Sequence, residues 1–430
     1  MVWSKYTYMF DDEGKYYIYN SLSNGFAEID KITYDEISRM KRDNNILSIN
    51  DELLVQLKKL KVIVDNDKDE INAVKYLTLR RRNDDSRLIL TINPTLSCNF
   101  ACPYCFEGEH PNRFMTDEVE DKIIRFIQSN PKLKTISVTW FGGEPLLAFD
   151  RIVSLTKKMQ SLGLAYSAGM ITNGYLLTET VAAQLQDLSI SSVQITIDGL
   201  APFHDSRRCL KSGKPTFEQI VKNIDFLQTH YPSIAVRVRV NVDKTNMEDF
   251  LELYKFLKDK RYPNLTINLA FVKDMTGCHN CNSSFDTEEQ AQIAKTLLQK
   301  YGLDFSMVYP LSDRYECAIR NKNALVIGPE GELYKCWNDV GNQDKVVGTI
   351  DGKITNERLL LRYLIGADPF ESPKCQKCFL LPVCGGGCPY SRILNEYEGT
   401  DISTCLFMKK HLKDFLLAHA NYKNLKCNSK

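Results

Sequence analysis

The segment Leu88-Ile-Leu-Thr-Ile-Asn-Pro-Thr-Leu-Ser-Cys98-Asn-Phe-Ala-Cys102-Pro-Tyr-Cys105 joins a β-rich run to three closely spaced cysteines. The apolar run Leu88–Asn93 predicts a buried strand, so the cysteines follow a strand end. Three thiolates in one loop cannot complete a tetrahedral zinc site, but they can bind three irons of a [4Fe–4S] cluster. The fourth iron would then be open to an exogenous ligand. A zinc knuckle with a distant fourth ligand and a chance spacing are the alternatives.

Composition excludes several classes of partner. The 430 residues suggest two or three domains, and a hydrophobic content of 43% is ordinary for a globular protein. Lys and Arg (55) nearly balance Asp and Glu (54), so no net field attracts nucleic acid or an anionic membrane. No apolar run approaches the roughly 20 residues of a membrane span, and the N-terminus has acidic residues where a signal peptide needs an apolar core. We expect a cytoplasmic protein without a nucleic-acid or membrane partner.

The 14 cysteines are unevenly distributed. The first 97 residues contain none, whereas residues 317 to 405 contain seven. Because a cytosol keeps thiols reduced, clustered cysteines there bind metal more often than they form disulfides, although disulfides stay an alternative.

The first part of the chain, residues 1–84, predicts a small winged-helix-like α+β domain. Its strand candidates are Lys5–Phe10, Lys15–Asn20, Phe26–Ile29 and Val62–Val64, and its helix candidates are Thr33–Arg42 and Asp51–Leu60. The polar stretch Asp65–Arg87 reads as a linker, and its basic run 80–82 as a solvated face. A structural cap without any ligand is the alternative for this domain.

The second part, residues 85–302, alternates short β-rich runs with amphipathic stretches. The strand candidates are Leu88–Asn93, Thr135–Phe141, Ala168–Thr172, Ser192–Ile197, Ala235–Val242 and Leu265–Val272. Near-continuous apolar strands in six βα repeats predict an α/β fold with a parallel sheet, namely a partial (β/α)6 barrel. The third part, residues 303–430, is turn-rich and cysteine-rich until a final helix near Ser403–His419. We expect it to need a metal to fold.

Motifs at successive strand ends extend the three-cysteine signal. Phe141-Gly-Gly-Glu-Pro145 follows the second strand and Thr172-Asn-Gly174 the third. Gln194-Ile-Thr-Ile-Asp-Gly199 and His204-Asp-Ser-Arg-Arg208 belong to the fourth. In this order the set resembles the radical S-adenosylmethionine (SAM) superfamily, whose defining motif is Cys-x3-Cys-x2-Cys.

The resemblance implies a set of cofactor-binding residues. Cys98, Cys102 and Cys105 would ligate a [4Fe–4S] cluster that binds SAM. Glu144 would accept a hydrogen bond from the SAM ammonium, and Arg208 would pair with the SAM carboxylate. The residues expected around SAM are Tyr104, Gly142, Gly143, Glu144, Thr172, Asn173, Asp198 and Arg208.

The C-terminal cysteines resemble a SPASM domain, which in its full form holds two auxiliary iron–sulfur clusters of the [4Fe–4S] kind. The pattern is Cys317-x13-Gly331-x4-Cys336, followed by Cys375-x2-Cys378-x5-Cys384-x3-Cys388-x16-Cys405. By this resemblance, Cys375, Cys378, Cys384 and Cys405 ligate an outer cluster, and Cys317, Cys336 and Cys388 an inner one. The inner set is one thiolate short. Some SPASM domains supply the fourth thiolate from a cysteine just before the Cys317 position, but Tyr309–Glu316 contains no cysteine. The fourth iron of the inner cluster then either has an open coordination site or takes its ligand from the Cys278-His-Asn-Cys281 segment. For the whole region, paired zinc ribbons are the alternative.

Together these features resemble maturases of ribosomally made peptides. The resemblance implies a short precursor peptide with a leader as substrate and a flavodoxin- or ferredoxin-type protein as low-potential electron donor. It also implies that residues 1–84 are a precursor-recognition domain, which takes the leader as an added β-strand. We expect a cross-link, with a thioether as first choice and a carbon–carbon cross-link or epimerisation as second. Sulfatase-type formylglycine formation is a further alternative. Those enzymes usually carry an aspartate, acting as base, directly after the Cys336 equivalent, whereas this chain has Trp337 there and Asp339 two residues further on. A non-catalytic peptide-binding partner is the alternative from another class.

Overall fold

The computed structural model describes residues 1–43, 46, 49–105, 107–272, 284–301, 309–310 and 317–428, with side chains to residue 421. An antiparallel sheet forms the start of the chain. Strands β2 (Thr7–Asp12), β3 (Lys15–Asn20) and β4 (Gly25–Ile29) pair in that order. Helices α1 (Lys31–Asp43) and α2 (Asp51–Lys59) follow, and β1 (Val2–Trp3) pairs with β5 (Ile63–Val64). The strands and helices predicted for residues 1–64 are therefore present.

The predicted linker is wrong, because residues 67–82 form a helix. Helix α3 (Asp67–Arg82) begins after Asn66, whose side chain accepts a hydrogen bond from Lys68 N. Its Arg82 is not a solvated residue: the side chain is only 9% exposed and forms an ion pair of 2.5 Å with Asp368. At the other end of the helix, the buried carboxylate of Glu70 accepts hydrogen bonds from the Ser4 hydroxyl and from Lys5 N.

This N-terminal region folds together with the later cysteine-rich segment. One compact unit contains Met1–Asn83, Thr287–Asn321 and Ile365–Lys430. Phe10, Tyr17 and Tyr19 share a core with Leu380 and Val383. The remaining helices of this unit are α10 (Thr287–Tyr301), α12 (Pro373–Gln376), α13 (Leu381–Cys384), α14 (Pro389–Glu398) and α15 (Leu412–Asn428).

Six parallel strands form the centre of the second unit, which contains Asp84–Asp286 and Lys322–Leu364. The strands are β6 (Arg87–Ile92), β7 (Thr135–Trp140), β8 (Ala165–Thr172), β9 (Ile190–Thr196), β10 (Ala235–Val242) and β11 (Leu265–Phe271). Each pairs in parallel with its neighbour in sequence. The predicted partial (β/α)6 barrel is confirmed.

Helices connect these strands, as parallel pairing requires. They are α4 (Asp117–Gln128), α5 (Phe149–Gln160), α6 (Glu179–Ala182), α7 (Ala201–Arg207), α8 (Phe217–His230) and α9 (Met247–Asp259). Helix α4 is capped by Thr116, whose side chain accepts a hydrogen bond from Val119 N. No helix in the part of the chain that the structure describes combines the length and apolarity needed to cross a membrane.

Three short strands from beyond residue 302 extend this sheet. Strand β12 (Ala324–Ile327) pairs in parallel with β6, and β13 (Glu332–Tyr334) and β14 (Gly348–Thr349) continue the sheet in antiparallel order. Helix α11 (Glu357–Leu364) completes the segment. The contacts thus group residues 322–364 with the barrel rather than with the rest of the C-terminal part. The division into three functional domains, residues 1–84, 85–302 and 303–430, stays a prediction.

Replacing Arg82 by methionine is expected to destabilise the protein. The change leaves the Asp368 carboxylate nearly buried and unpaired, which typically costs about 3–5 kcal/mol. Differential scanning calorimetry should show a lower unfolding temperature for Arg82→Met. Arg80→Met, on the exposed side of the same helix, is the matched control and should shift stability by no more than about 0.5 kcal/mol. Equal shifts in the two variants would refute the importance of the ion pair.

Candidate active site

The loop that carries the first three cysteines leaves the end of β6 and is held against the segment after α7. Phe100 and Leu210 form an isolated antiparallel bridge. The Ala101 N–H donates to the Cys209 carbonyl at 3.0 Å, and the Lys211 N–H donates to the Asn99 carbonyl at 2.9 Å. These backbone contacts thus fix the loop between its first two cysteines.

The sulfur spacing in this loop does not suit a single metal ion. A zinc ion with bonds of about 2.3 Å needs thiolate sulfurs roughly 4 Å apart. Among the described residues, the three Sγ atoms of Cys98, Cys102 and Cys105 do not all lie within 4.8 Å of one another. One zinc ion bound by all three sulfurs does not fit this arrangement, whereas ligand atoms of Cys105, Glu107 and His110 do lie within 4.8 Å of one another.

Burial shifts the thiols of this loop toward their protonated forms. It raises the pKa of Cys98 to about 12 and that of Cys105 to about 11. Because only thiolates bind iron, assembly of a cluster here would release protons.

The glycine loop after β7 lies directly against the cysteine loop. A side chain at Gly142, whose φ is +118°, would place its Cβ 2.4 Å from the Thr95 carbonyl oxygen, and one at Gly143 would lie 2.4 Å from that of Ser97. The backbone of Glu144 donates to the Ser97 carbonyl at 2.9 Å. Only glycine permits this approach of two backbones.

The Glu144 side chain connects three motifs. It is fully buried, and its Oε1 accepts hydrogen bonds from Thr172 Oγ1 (2.6 Å) and Leu146 N (3.0 Å), while Oε2 accepts one from Asn173 N (2.7 Å). Burial raises the pKa of this carboxyl. Asn173 in turn donates to Asn99 Oδ1 at 2.7 Å, inside the cysteine loop. The carboxylate therefore holds the strand ends together, and its expected bond to the SAM ammonium stays a prediction.

A polar chain links the cysteine loop to the fourth strand. The Tyr104 hydroxyl donates to Asp198 and accepts a hydrogen bond of 2.6 Å from Arg208 Nη1. Asp198 also accepts from Asn241 N at 3.2 Å. Arg208 is buried, and its Nε has no hydrogen-bond partner among the described residues. This orphaned donor beside the cysteine loop fits a bound carboxylate.

Three further residues, which the sequence analysis did not assign to the site, surround this hydrogen-bond chain. Arg207 lies over the Tyr104 ring at 4.6 Å and forms an ion pair of 3.2 Å with Asp243. His204 is fully buried, and burial lowers its pKa to about 3, so that its neutral ring accepts a hydrogen bond from Asp198 N. Arg207 and His204 belong to the His204–Arg208 motif, so their position in the sequence pointed to the site. Asp243 belongs to no motif, and the sequence did not point to it.

Aromatic rings lie next to the glycine loop. Trp337 is 46% exposed, and its ring centroid lies 5.9 Å from that of Phe141, which directly precedes Gly142. Asp339 is buried and accepts a hydrogen bond of 2.7 Å from the Tyr363 hydroxyl. The residue after Cys336 thus presents an indole, while the nearby carboxylate points into the protein interior.

In the other unit, one cavity of about 60 Å³ brings together the cysteines expected for the outer cluster. Its lining includes Cys375, Cys378, Cys384 and Cys405. Arg392 also lines this cavity, and its Nη1 donates to Cys375 Sγ at 3.5 Å. A hydrogen-bond donor at a thiolate sulfur is the chemistry that an iron–sulfur cluster site offers.

The cysteines expected for the inner cluster are less clearly assembled. Cys317 lines a cavity of about 10 Å³ with Arg82, Arg320 and Arg392, whereas Cys388 is exposed and lines neither cavity. Cys336 is buried in the barrel unit. Cys278 and Cys281 lie outside the described residues, so the missing ligand stays a prediction.

Comparison with known proteins agrees with this geometry. The family model of the radical SAM superfamily matches residues 92–257. A serine-type anaerobic sulfatase-maturating enzyme of Bacteroides thetaiotaomicron is 31% identical over 70% of this chain and 82% of its own length. The radical SAM cyclopropyl synthase TigE of Paramaledivibacter caminithermalis is 22% identical over 88% of this chain and 87% of its own length.

Two solved structures share the fold. The anSMEcpe enzyme with bound AdoMet and Cp18Cys peptide has a TM-score of 0.60 and 21% identity, covering 80% of this chain and all of that one. SuiB of Streptococcus suis bound to the precursor peptide SuiA has a TM-score of 0.53 and 15% identity, covering 91% of this chain and 96% of that one. Fold, motif order and sequence similarity agree, and the chain belongs to the radical SAM superfamily, as an enzyme whose cofactors are SAM and a [4Fe–4S] cluster.

Proposed function

We propose that this enzyme modifies a ribosomally made precursor peptide and installs a cross-link in it. One observation carries the catalytic part of the proposal: Asn99, Asn173 and Glu144 join the cysteine loop to two strand-end motifs, beside a buried arginine with a free donor. The peptide substrate is inferred from the relatives, two of which have been solved with bound peptides.

The residues of this chain have distinct roles in the proposal. Bound cluster and SAM supply a 5′-deoxyadenosyl radical, which removes a hydrogen atom from an unactivated carbon. Cys98, Cys102 and Cys105 hold the cluster. Arg208 binds the SAM carboxylate, and Tyr104 and Asp198 orient the guanidinium through their hydrogen bonds. Asp198 and Arg208 are buried, whereas Tyr104 and the three cysteines are partly exposed.

The N-terminal sheet is the proposed site for the leader of the precursor. Strands β2 and β4 are the outer strands of a three-stranded antiparallel sheet. An extended leader can pair with the backbone of such an outer strand and add a fourth strand. A flavodoxin- or ferredoxin-type protein would supply the electron that starts each turnover.

A thioether is the first-choice product because the inner cysteine set is one ligand short. An open iron could bind the thiolate of a substrate cysteine. The carbon would lose a hydrogen atom to the 5′-deoxyadenosyl radical, which becomes 5′-deoxyadenosine. The thiol would lose its proton, and the remaining electron would pass to an auxiliary cluster as the C–S bond forms. A carbon–carbon cross-link and epimerisation are the second choices.

Formylglycine formation is a second candidate function, favoured by the 31% identity to a sulfatase-maturating enzyme. The local geometry argues against it. Those enzymes usually have an aspartate as base after the cysteine that corresponds to Cys336, where this chain has an exposed tryptophan. The nearest alternative, Asp339, is buried and bonded to Tyr363.

Replacing Cys98, Cys102 and Cys105 by alanine is expected to remove one cluster. Anaerobically reconstituted wild-type protein should contain about twelve irons, and the triple variant about four fewer. Iron and sulfide analysis with Mössbauer spectroscopy measures this difference, and SAM cleavage under dithionite should disappear in the variant. About four irons in the wild type, with zinc bound to the C-terminal region, would contradict the auxiliary clusters. SAM cleavage that is absent from the wild type would favour the non-catalytic partner.

Arg208→Lys is expected to weaken SAM binding about tenfold, because lysine keeps the charge but loses the forked donors of the guanidinium. Isothermal titration of reconstituted protein with SAM measures the dissociation constant. Arg237→Lys, an exposed arginine on β10, is the control and should leave the constant unchanged. An unaltered constant in Arg208→Lys with normal iron content would remove Arg208 from the SAM site.

The Cp18Cys peptide distinguishes the two candidate functions. With SAM and a reductant, this enzyme should give no product that reacts with an aldehyde-specific hydrazide, since Trp337 occupies the place of the base. The anSMEcpe enzyme, solved with that peptide, serves as the positive control. A hydrazide-reactive peptide formed by this enzyme would establish the sulfatase-type reaction instead of cross-linking.

A further inference from the structure

Arg392 lies between the cavities that contain expected ligands of two different clusters. It lines the cavity of Cys375, Cys378, Cys384 and Cys405, and also the smaller cavity that contains Cys317. Its Nη1 donates to Cys375 Sγ at 3.5 Å, while its Nε donates to the Ala367 carbonyl at 2.8 Å. The hydrogen bond to Ala367 fixes the plane of the guanidinium and thereby holds Nη1 in place beside the Cys375 sulfur.

Two buried arginines line the smaller cavity together with the partly exposed Arg392. Arg320 donates to the carbonyls of Gly366 (2.5 Å) and Ala367 (3.0 Å), and Arg82 pairs with Asp368. The Nε atoms of Arg82 and Arg320 are buried and have no hydrogen-bond partner among the described residues.

These side chains leave an excess of positive charge inside the unit. Three guanidinium groups line the smaller cavity, and Asp368 is the carboxylate that contacts one of them. Buried charge without compensation is costly, so the arrangement calls for an anionic group. Iron–sulfur clusters bound by thiolates carry net negative charge, and Arg392, unlike Arg82 and Arg320, also lines the cavity of Cys375, Cys378, Cys384 and Cys405.

We propose that Arg392, held by Ala367, raises the reduction potential of the cluster bound by Cys375, Cys378, Cys384 and Cys405. The inference rests on the auxiliary cluster of the proposed function. Reduction adds one negative charge to such a cluster, and a hydrogen bond and a cation at a ligand sulfur stabilise the reduced form. Arg392 thereby makes this cluster a better acceptor for the electron that cross-linking releases from the peptide.

An EPR-monitored redox titration of full-length reconstituted protein tests this role. The Cys98/Cys102/Cys105→Ala background removes the SAM-binding cluster, so the remaining iron signals belong to the auxiliary clusters. Arg392→Gln should lower the equilibrium constant for one-electron reduction about tenfold, which corresponds to a shift of about 59 mV to more negative potential. Arg392→Lys keeps the charge but changes the donor geometry and should shift the potential in the same direction by less. Arg39→Gln removes an exposed arginine of the same unit and should leave the potential unchanged.

The outcomes separate this inference from the proposed function. Absence of auxiliary iron in the Arg392-containing protein would overturn the cluster assignment and the inference together. Intact iron with equal potentials in Arg392→Gln and Arg39→Gln would overturn only the role of Arg392. If Arg392→Gln fails to assemble its cluster, the Arg392→Lys titration decides: a more negative potential supports the role, and an unchanged one refutes it.

Discussion

The close approach of two backbones, at the glycine loop and the cysteine loop, is the constraint on which the site depends. The register of the sheet pairs Ile92 with Trp140, so both loops leave it at the same level. The Gly142 and Gly143 positions then lie so near the carbonyls of Thr95 and Ser97 that even a methyl group would overlap them. Any side chain there would push the cysteine loop away from the strand ends that carry the other motifs.

The buried Glu144 carboxylate stabilises this arrangement from inside. A charged group without water is costly unless it is hydrogen-bonded, and three donors from two segments compensate it here. Because these donors come from Leu146, Thr172 and Asn173, the carboxylate fixes the distance between the ends of β7 and β8. The carboxylate therefore has a structural role, because it determines where the glycine loop lies before any ligand arrives.

Sequence predicted those features whose cause is local. The strand 235–242 is apolar at every second residue and was predicted with its observed bounds, because burial of alternate residues is visible in the pattern. Helix α3 was missed because its buried face consists of Glu70, Val74, Thr78 and Arg82, of which only one is apolar. Its stability comes from Ser4 and Asp368, far away in sequence, and no window along the chain shows such contacts. The site shows the same contrast between local and distant causes. Tyr104, Asp198 and Arg208 were named from sequence motifs, whereas the contact of Asp243 with Arg207 is visible only in the structure.

In the proposed function, the shared core of the N-terminal sheet and the cysteine-rich segment would couple leader binding to the auxiliary cluster. Leu380 and Val383 lie between Cys378 and Cys384 in sequence and pack against the aromatic rings of Phe10, Tyr17 and Tyr19. A cluster that orders the four cysteines would also order these two aliphatic side chains, since metal binding and folding are linked. Sheet and cysteine segment would thus be stabilised together, and a leader that binds the ordered sheet would bind the cluster-loaded protein more tightly. The direction of this coupling would follow from the packing within this one unit.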